Sequence, residues 1–152
     1  MYTCHVKKFN ELTLKELYSI LQLRNKCFIV DQQIPYQDLD NYDQESYHIL
    51  LLDDSDNSLV SYTRLIEPGV RFEEPSCGRF CTNENYRGVN HHVEVYNNLI
   101  QLLEKLDYNV MRCIIQKKYY SLLKRVTRIV ELEIDKEIIE DGVESYEVIL
   151  RR

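Results

Sequence analysis

Three segments of the chain carry apolar residues at helical spacing. The first begins at Thr13, whose hydroxyl fits a capping box with Glu16, and it predicts a helix that runs to about Lys26. The apolar positions of this helix are Leu14, Leu17, Tyr18 and Leu21. A second helix is predicted from about His91, and a third over Gln116 to Val126.

Short apolar runs between turn-forming residues predict six β-strands. The runs are Tyr47 to Leu52, Leu59 to Ile66, Cys77 to Thr82, Tyr108 to Ile115, Arg128 to Ile134, and Tyr146 to Leu150. A long loop is expected over Phe28 to Gln44, which contains Pro35. The order α-β-β-β-α-β-α-β-β is typical of an α/β fold in which helices flank a mixed central sheet.

The composition indicates one soluble domain, expected to span residues 1–152. Of the 152 residues, 44% are apolar and 29% are charged, enough to bury a core and keep a polar surface. The formal charge is −6 and the longest basic run is Lys117-Lys118, so a nucleic-acid partner is not expected. The chain shows no signal peptide and no run of ~20 apolar residues, so we expect no membrane contact and a cytoplasmic location.

The cysteines and histidines show no pattern of a disulfide framework or a metal site. The five cysteines are Cys4, Cys27, Cys77, Cys81 and Cys113. They are odd in number and scattered, which favours free, mostly buried thiols. The adjacent residues His91 and His92 point about 100° apart on a helix and cannot easily share one ion, so no metal is expected.

A loop between a predicted strand and the second helix is the first candidate for a ligand site. It runs from Arg87 to His92. At such a junction, backbone N–H groups and the positive end of the helix point outward and can bind phosphate without cationic side chains. On its own this signal is weak, because every α/β protein has such junctions.

Several longer stretches of the sequence make the interpretation of its function more specific. They are Glu11-Leu12-Thr13, Glu16-Leu17-Tyr18, Leu23-Arg24, Phe28 to Gln32, Pro35 to Asp40, Asp43, His48, Leu59 to Arg64, Gly78-Arg79, Arg87-Gly88 and Glu140-Asp141-Gly142. In these strings the chain resembles the ElaA-like branch of the GNAT acetyltransferases. The resemblance covers most of the chain, and it implies the GNAT acyltransferase fold and an enzyme that passes an acetyl group from acetyl-CoA directly to an amine.

The resemblance also implies where acetyl-CoA binds. The pantetheine arm would pair with the strand at Phe80, Cys81 and Thr82. The pyrophosphate would rest on the loop formed by Arg87, Gly88, Val89, Asn90, His91 and His92. A tyrosine on the third helix would protonate the leaving thiolate.

Two departures from the family pattern affect these roles. Asn90 and His92 stand where the family has small residues, usually glycine, which lets a backbone approach a ligand closely. The imidazole of His92 would either cap the pyrophosphate or block the site. The position of the family tyrosine falls on Leu123, so Tyr120, about one turn earlier, is the expected acid unless it only packs the helix on the sheet.

The acidic loop is the expected binding site for the acceptor amine. Its carboxylates would attract a cationic amine and accept its proton before the attack. The expected residues are Arg24, Tyr36, Asp38, Asp40 and Asp43, with Asp31 nearby and His48 as a candidate base. Arg24 and Arg64 are expected to pair with these carboxylates.

Three functions remain open at this point. The first is an N-acetyltransferase acting on a small-molecule or peptide amine. The second is an acyl-homoserine-lactone-synthase-like enzyme, suggested by the Arg24 to Phe28 element but weakened by the absence of tryptophan. The third is a GNAT-fold interaction module that has lost acetyl-CoA binding, which Asn90 and His92 favour. The oligomeric state, monomer or homodimer, also stays open.

Overall fold

The computed structural model describes residues 1–127 and 131–152. The strands in these ranges are β1 (Tyr2–Lys8), β2 (Ser46–Asp53), β3 (Leu59–Ile66), β4 (Ser76–Thr82), β5 (Val110–Gln116), β6 (Glu131–Glu140) and β7 (Val143–Arg151). The helices are α1 (Leu14–Arg24), α2 (His91–Lys105) and α3 (Tyr120–Val126). A π-helical turn, Asn25–Asp31, continues α1 directly.

One mixed sheet contains all the described strands, in the order β1-β2-β3-β4-β5-β7-β6. Helices cover it, so the predicted mixed sheet with flanking helices is confirmed. Strand β1 was not predicted, although Tyr2, Cys4 and Val6 alternate with polar residues as in a half-exposed edge strand. The predicted strand from Arg128 lies partly outside the described residues, and β6 continues past Ile134 to Glu140.

Helix α1 begins where the sequence predicts it, but a different face is buried. The N–H of Glu16 donates to the side-chain oxygen of Thr13 over 3.1 Å, which makes Thr13 the N-cap. Ile20 and Leu23 pack towards the sheet, whereas Leu14 and Tyr18 are 87% and 71% exposed. Apolar residues occur on more than one side of this helix, so spacing alone does not select the buried side.

The sheet separates two apolar layers. On one face, α1 and the π-helical turn pack through Ile20, Leu23 and Cys27 against Tyr62 and Cys81. On the other face, α2 forms the larger core. Strand β3 is buried along its whole length, as expected for a strand covered on both faces. No helix within residues 1–127 and 131–152 is long and apolar enough to cross a membrane.

The sheet opens between β4 and β5, which form its parallel pair. Their ladder consists of one bridge, Ser76 to Arg112, after which the two strands diverge. Strand β4 is irregular at this point, because the register with β3 shifts between Tyr62 and Arg64 and Arg79 has a positive φ of 59°. The divergence leaves one edge of β4 without a neighbouring strand in the described sheet and creates a cleft.

Candidate active site

The cleft between β4 and β5 has a volume of about 980 Å³. Its walls come from β4, β5, α3, the π-helical turn and the turn between β6 and β7. The residues expected to bind the cofactor that line it are Phe80, Cys81, Thr82, Arg87, Gly88, Val89, Asn90 and His92. The fold therefore brings the two predicted parts of the cofactor site, the strand edge and the loop, into one cavity.

The loop before α2 presents free backbone N–H groups at one end of the cleft. Gly88 has a φ of +90°, a conformation that glycine adopts without strain. In the part of the chain that the structure describes, the N–H groups of Gly88, Val89, Asn90 and His92 donate to no protein acceptor. Together with the positive end of the α2 dipole, they form an anion-binding surface.

His91 does not belong to this surface, which corrects the expectation from the sequence. Its ring is buried between Tyr2, at 4.5 Å between ring centroids, and Tyr86, at 6.2 Å. Its backbone N–H already donates to the carbonyl of Val89 over 2.8 Å. Both its side chain and its amide are therefore occupied by the protein itself.

His92 does line the cleft, in the first turn of α2. Partial burial lowers the pKa of its imidazole, and the positive charge of Arg125 lowers it further. The ring is therefore neutral at neutral pH. It can donate one hydrogen bond to a phosphate, but it brings no positive charge there.

Of the two neighbouring tyrosines at the start of α3, Tyr119 faces the cleft and Tyr120 does not. Tyr119 is 41% exposed and forms part of the cleft wall. Tyr120 packs its ring edge-on against Tyr146, at 5.2 Å between ring centroids, and does not line the cleft. Neighbouring residues on a helix differ by about 100° in direction, so only the packing of the helix decides which of the two faces a ligand.

A second group of predicted residues is buried beneath the cleft wall. The guanidinium of Arg24 donates from Nε to Asp38 over 3.0 Å and from Nη1 to Asp43 over 2.7 Å. Arg24 is fully buried, and the two aspartates are nearly so. The expectation that Arg24, Asp38 and Asp43 contact the substrate is therefore corrected, whereas the predicted pairing of Arg24 with the carboxylates of this loop is confirmed.

Two further arginines complete the charge compensation. Arg64 donates to Asp40 through both Nη atoms, and its Nη1 also donates to Asp43 over 2.8 Å. Arg79, on the irregular part of β4, donates to Asp38 over 2.8 Å and lies 3.3 Å from Asp40. Three arginines thus neutralise the three aspartates expected to attract an amine, so this cluster presents no net negative charge to the cleft.

His48 is also an interior residue rather than a candidate base. Its Nε2 lies 2.9 Å from the carbonyl oxygen of Asp43, which can only accept, so Nε2 carries the proton. Its Nδ1 then accepts from the Tyr62 hydroxyl over 2.8 Å. Burial lowers the pKa of the ring, and its relative exposure is 0%. No substrate proton can reach it.

Tyr36 is the predicted substrate residue that reaches the cleft. Its hydroxyl donates to Asp38 over 3.1 Å, and the guanidinium of Arg79 lies over its ring at 5.2 Å. Glu140 and Asp141, which were not among the expected site residues, line the cleft from the turn between β6 and β7. The string that contains them carried the family resemblance, but nothing in its spacing relates it to a cleft formed by distant strands.

A family model described as an acetyltransferase (GNAT) domain matches residues 24–121, which is more than half of the chain. The protein belongs to the GNAT acetyltransferase family. It is an ElaA-like member: it is 35% identical to protein ElaA of Escherichia coli over 79 residues, which is 52% of each chain. The chain therefore matches about half the length of its curated relatives.

Solved structures show that the likeness extends over the complete fold. An acyl-CoA N-acyltransferase from Pseudomonas aeruginosa superposes with a TM-score of 0.84 and 26% identity, over 100% of this chain and 99% of that one. A CoA-dependent acyl-homoserine lactone synthase, BjaI, superposes with a TM-score of 0.81 over 99% of this chain and 83% of that one. At 12% identity, the second comparison shows a shared fold alone.

The buried cluster of arginines and aspartates is expected to stabilise the folded chain. Replacing Arg24 by Met keeps most of the side-chain volume but leaves Asp38 and Asp43 with an uncompensated charge in the interior. We expect a loss of about 3–5 kcal/mol in the free energy of unfolding, measured by urea denaturation. The matched control is Arg151→Met, which breaks an exposed pair with Glu133 and should cost less than about 1 kcal/mol. Equal losses in the two variants would contradict a structural role for the cluster.

The same cluster predicts an acid-dependent loss of stability. Burial raises the pKa of Asp40, but the hydrogen bonds and charge of Arg64 outweigh this and lower it to about 2. A carboxylate with a depressed pKa stabilises the fold above its unfolded pKa of about 3.9, and this contribution is lost as the pH falls towards 2. Asp40→Asn should therefore be less stable than the natural chain at pH 7, by on the order of 1–2 kcal/mol. The difference should shrink steadily below pH 4, and a difference that is constant from pH 7 to pH 2 would contradict the assignment.

Proposed function

We propose that this protein transfers an acetyl group from acetyl-CoA to a primary amine. The observation that carries the proposal is one continuous cavity that joins the unpaired edge of β4 to the free N–H groups before α2. The pantetheine arm carries amide groups that can hydrogen-bond to a strand edge, and the pyrophosphate is an anion that suits a helix N-terminus. Membership of the GNAT family supports the same assignment.

Positive groups of the loop before α2 and carboxylates of the turn between β6 and β7 line the same cavity, which supports an orientation for the reactants. The guanidinium of Arg87 and the free N–H groups lie at the end formed by the loop before α2, and we place the pyrophosphate there. Glu140 and Asp141 line the wall formed by the turn between β6 and β7. Their carboxylates would attract a cationic amine, so we place the acceptor, a small molecule or a peptide, beside them.

A cationic amine must lose two protons, one to a carboxylate before the attack and one as the amide forms, and the sulfur must gain one. The neutral amine attacks the thioester carbonyl carbon, forming the new C–N bond, and a carboxylate or a bridging water accepts the amine proton. The C–S bond then breaks and the thiolate of CoA takes a proton. We assign the Tyr119 hydroxyl as the donor of this proton. Tyr119 is exposed and lines the cleft on the side of α3.

One observation favours a second function, an interaction module that has lost the cofactor. The imidazole of His92 occupies the cleft at the first turn of α2, where the family has a small residue. Whether the ring leaves room for pyrophosphate decides between the two functions.

Cofactor binding is tested by titrating acetyl-CoA into the natural chain and into His92→Gly in a calorimeter. We expect the natural chain to bind, and the variant to bind with a Kd about tenfold lower, equivalent to about 1.4 kcal/mol, because a neutral imidazole occupies space and brings no charge. His92→Ala is the matched control, since it removes the ring without the helix cost of glycine. Weaker binding by both variants would make the imidazole a phosphate ligand. No binding by any of the three chains at millimolar acetyl-CoA would overturn the proposed enzyme and favour the interaction module.

The residue that protonates the thiolate of CoA is tested with substitutions at two neighbouring tyrosines. Tyr119→Phe should lower kcat by about 10²-fold, the ordinary contribution of one acid, with little change in the Kd of acetyl-CoA. Tyr120→Phe, the matched control, should leave kcat within twofold, since that ring packs on Tyr146. Activity is followed as CoA thiol release with a panel of amines and short peptides. If Tyr120→Phe lowers kcat and Tyr119→Phe does not, Tyr120 is the acid instead.

A further inference from the structure

The inner end of the cleft lies where β4 and β5 begin to diverge. The bridge between the two strands joins Ser76 to Arg112. One residue further along each strand, Cys77 and Cys113 already line the cleft. Both cysteines are buried, so the cavity ends between the two strands at this point.

Helix α2 forms the floor of this inner end. His92 lines the cleft from the first turn of the helix, and Tyr96 lines it one turn further along the same face. On the following turn, Leu99 and Ile100 are buried in the core and do not line the cleft. Tyr96 is therefore the innermost residue of α2 that borders the cavity.

The side chain of Tyr96 fills the space beneath the diverging strands. It is 3% exposed and belongs to the same core cluster as Cys77 and Cys113. Its ring lies 6.5 Å, between centroids, from the ring of Phe80, on the part of β4 expected to pair with the pantetheine arm. The two cysteines at the closed end are small, so Tyr96 is the bulky side chain there.

The hydroxyl of Tyr96 contributes no hydrogen bond to the fold. It is buried and has no partner within residues 1–127 and 131–152. Burial raises the pKa of this hydroxyl, and the neighbouring thiols of Cys77 and Cys113 raise it further. A buried hydroxyl without a partner destabilises a fold relative to an apolar group of similar shape. What this side chain supplies at the end of the cleft is therefore its volume.

The proposed position of acetyl-CoA directs its acyl group towards this end. With the pyrophosphate at the loop before α2 and the pantetheine arm along Phe80 to Thr82, the thioester points along β4 towards Gly78 and Cys77. Acetyl has a single carbon beyond the thioester carbonyl. A longer acyl chain would continue in the same direction and meet the ring of Tyr96.

We propose that Tyr96 restricts the acyl group of the donor to acetyl or a group of similar length. The closed end between Cys77 and Cys113, the buried ring on its floor and the direction of the pantetheine arm carry this assignment. The inference rests on the proposed function, because it takes the cleft to be the cofactor site. Tyr96 acts here through its shape and determines specificity, without taking part in the transfer itself.

The restriction is tested in a calorimeter with acetyl-CoA, butyryl-CoA and hexanoyl-CoA. The natural chain should bind hexanoyl-CoA no more tightly than acetyl-CoA, because the additional methylenes find no apolar space. Tyr96→Ala removes the phenol and leaves room for these methylenes, so hexanoyl-CoA should bind roughly tenfold more tightly than acetyl-CoA. Binding needs no acceptor, so the result does not depend on which amine the enzyme uses.

The matched control is Leu99→Ala, which opens a cavity in the same core one turn further along α2. Leu99 is fully buried and does not line the cleft. Both alanine variants should lower Tm, by on the order of 10 °C. Only Tyr96→Ala should change the order of the three Kd values. An equal change in both variants would point to a loosened core and would overturn the role of Tyr96.

Two milder substitutions keep the proposal testable if Tyr96→Ala does not fold. Tyr96→Phe removes only the unpartnered hydroxyl, so it should preserve the order of the Kd values and leave Tm equal or higher. Tyr96→Leu shortens the side chain without adding a polar group, so butyryl-CoA should bind several times more tightly than acetyl-CoA. If Tyr96→Leu keeps the order of the natural chain, the proposal is wrong.

The outcomes separate this inference from the proposed function. If the natural chain and the variants bind none of the three thioesters, the cofactor groove is wrong and the acyl limit falls with it. If the thioesters bind in the same order to the natural chain, Tyr96→Leu and Tyr96→Ala, the acyl limit falls alone. A change of order confined to these two Tyr96 variants supports both.

Discussion

The compensation of buried charge under the cleft is the interaction on which the arrangement of the site depends. Arg24 comes from α1, Arg64 from β3 and Arg79 from β4, and the three aspartates that they bind come from the loop between the π-helical turn and β2. A buried charge without a partner is costly, so each arginine fixes the loop to the element that carries it. The loop has little regular structure of its own, and these ion pairs hold it against the sheet.

This cluster also decides which charges the cleft presents. Because Asp38, Asp40 and Asp43 are neutralised by arginines, they shape the wall, and Tyr36 reaches the cavity from a loop that they anchor. The carboxylates that line the cleft are instead those of Glu140, Asp141 and Asp31, the last of which lies 3.7 Å from Arg87. A group of acidic residues in a sequence therefore shows the charge of a site only when its basic partners are known. Here those partners are far apart along the chain.

The predictable part of the structure follows from local signals. Strand β3 was predicted with its observed bounds because turn-forming residues, Asp53 to Asn57 and Pro68-Gly69, stand on both sides of it. The Thr13 cap set the start of α1 because a cap acts within three residues. Strand β1 has only a short signal, the alternation of Tyr2, Cys4 and Val6 with polar residues, and it was missed. The choice between Tyr119 and Tyr120, and the burial of His91, depend on how helices rotate against the sheet, and packing between distant segments decides that rotation.

Arg87 links the proposed cofactor site to the sulfur of Cys27, which would carry a negative charge as a thiolate: its guanidinium lies 3.7 Å from that sulfur and also lines the cleft at the loop before α2. A pyrophosphate at that loop would compete with the thiolate for the same positive charge. If acetyl-CoA draws Arg87 towards phosphate, the thiolate loses part of its stabilisation and the thiol becomes less reactive. Binding free energies are reciprocal, so a thiolate that holds Arg87 weakens the cofactor by the same factor. The cleft would then bind its cofactor best when Cys27 is a protonated thiol.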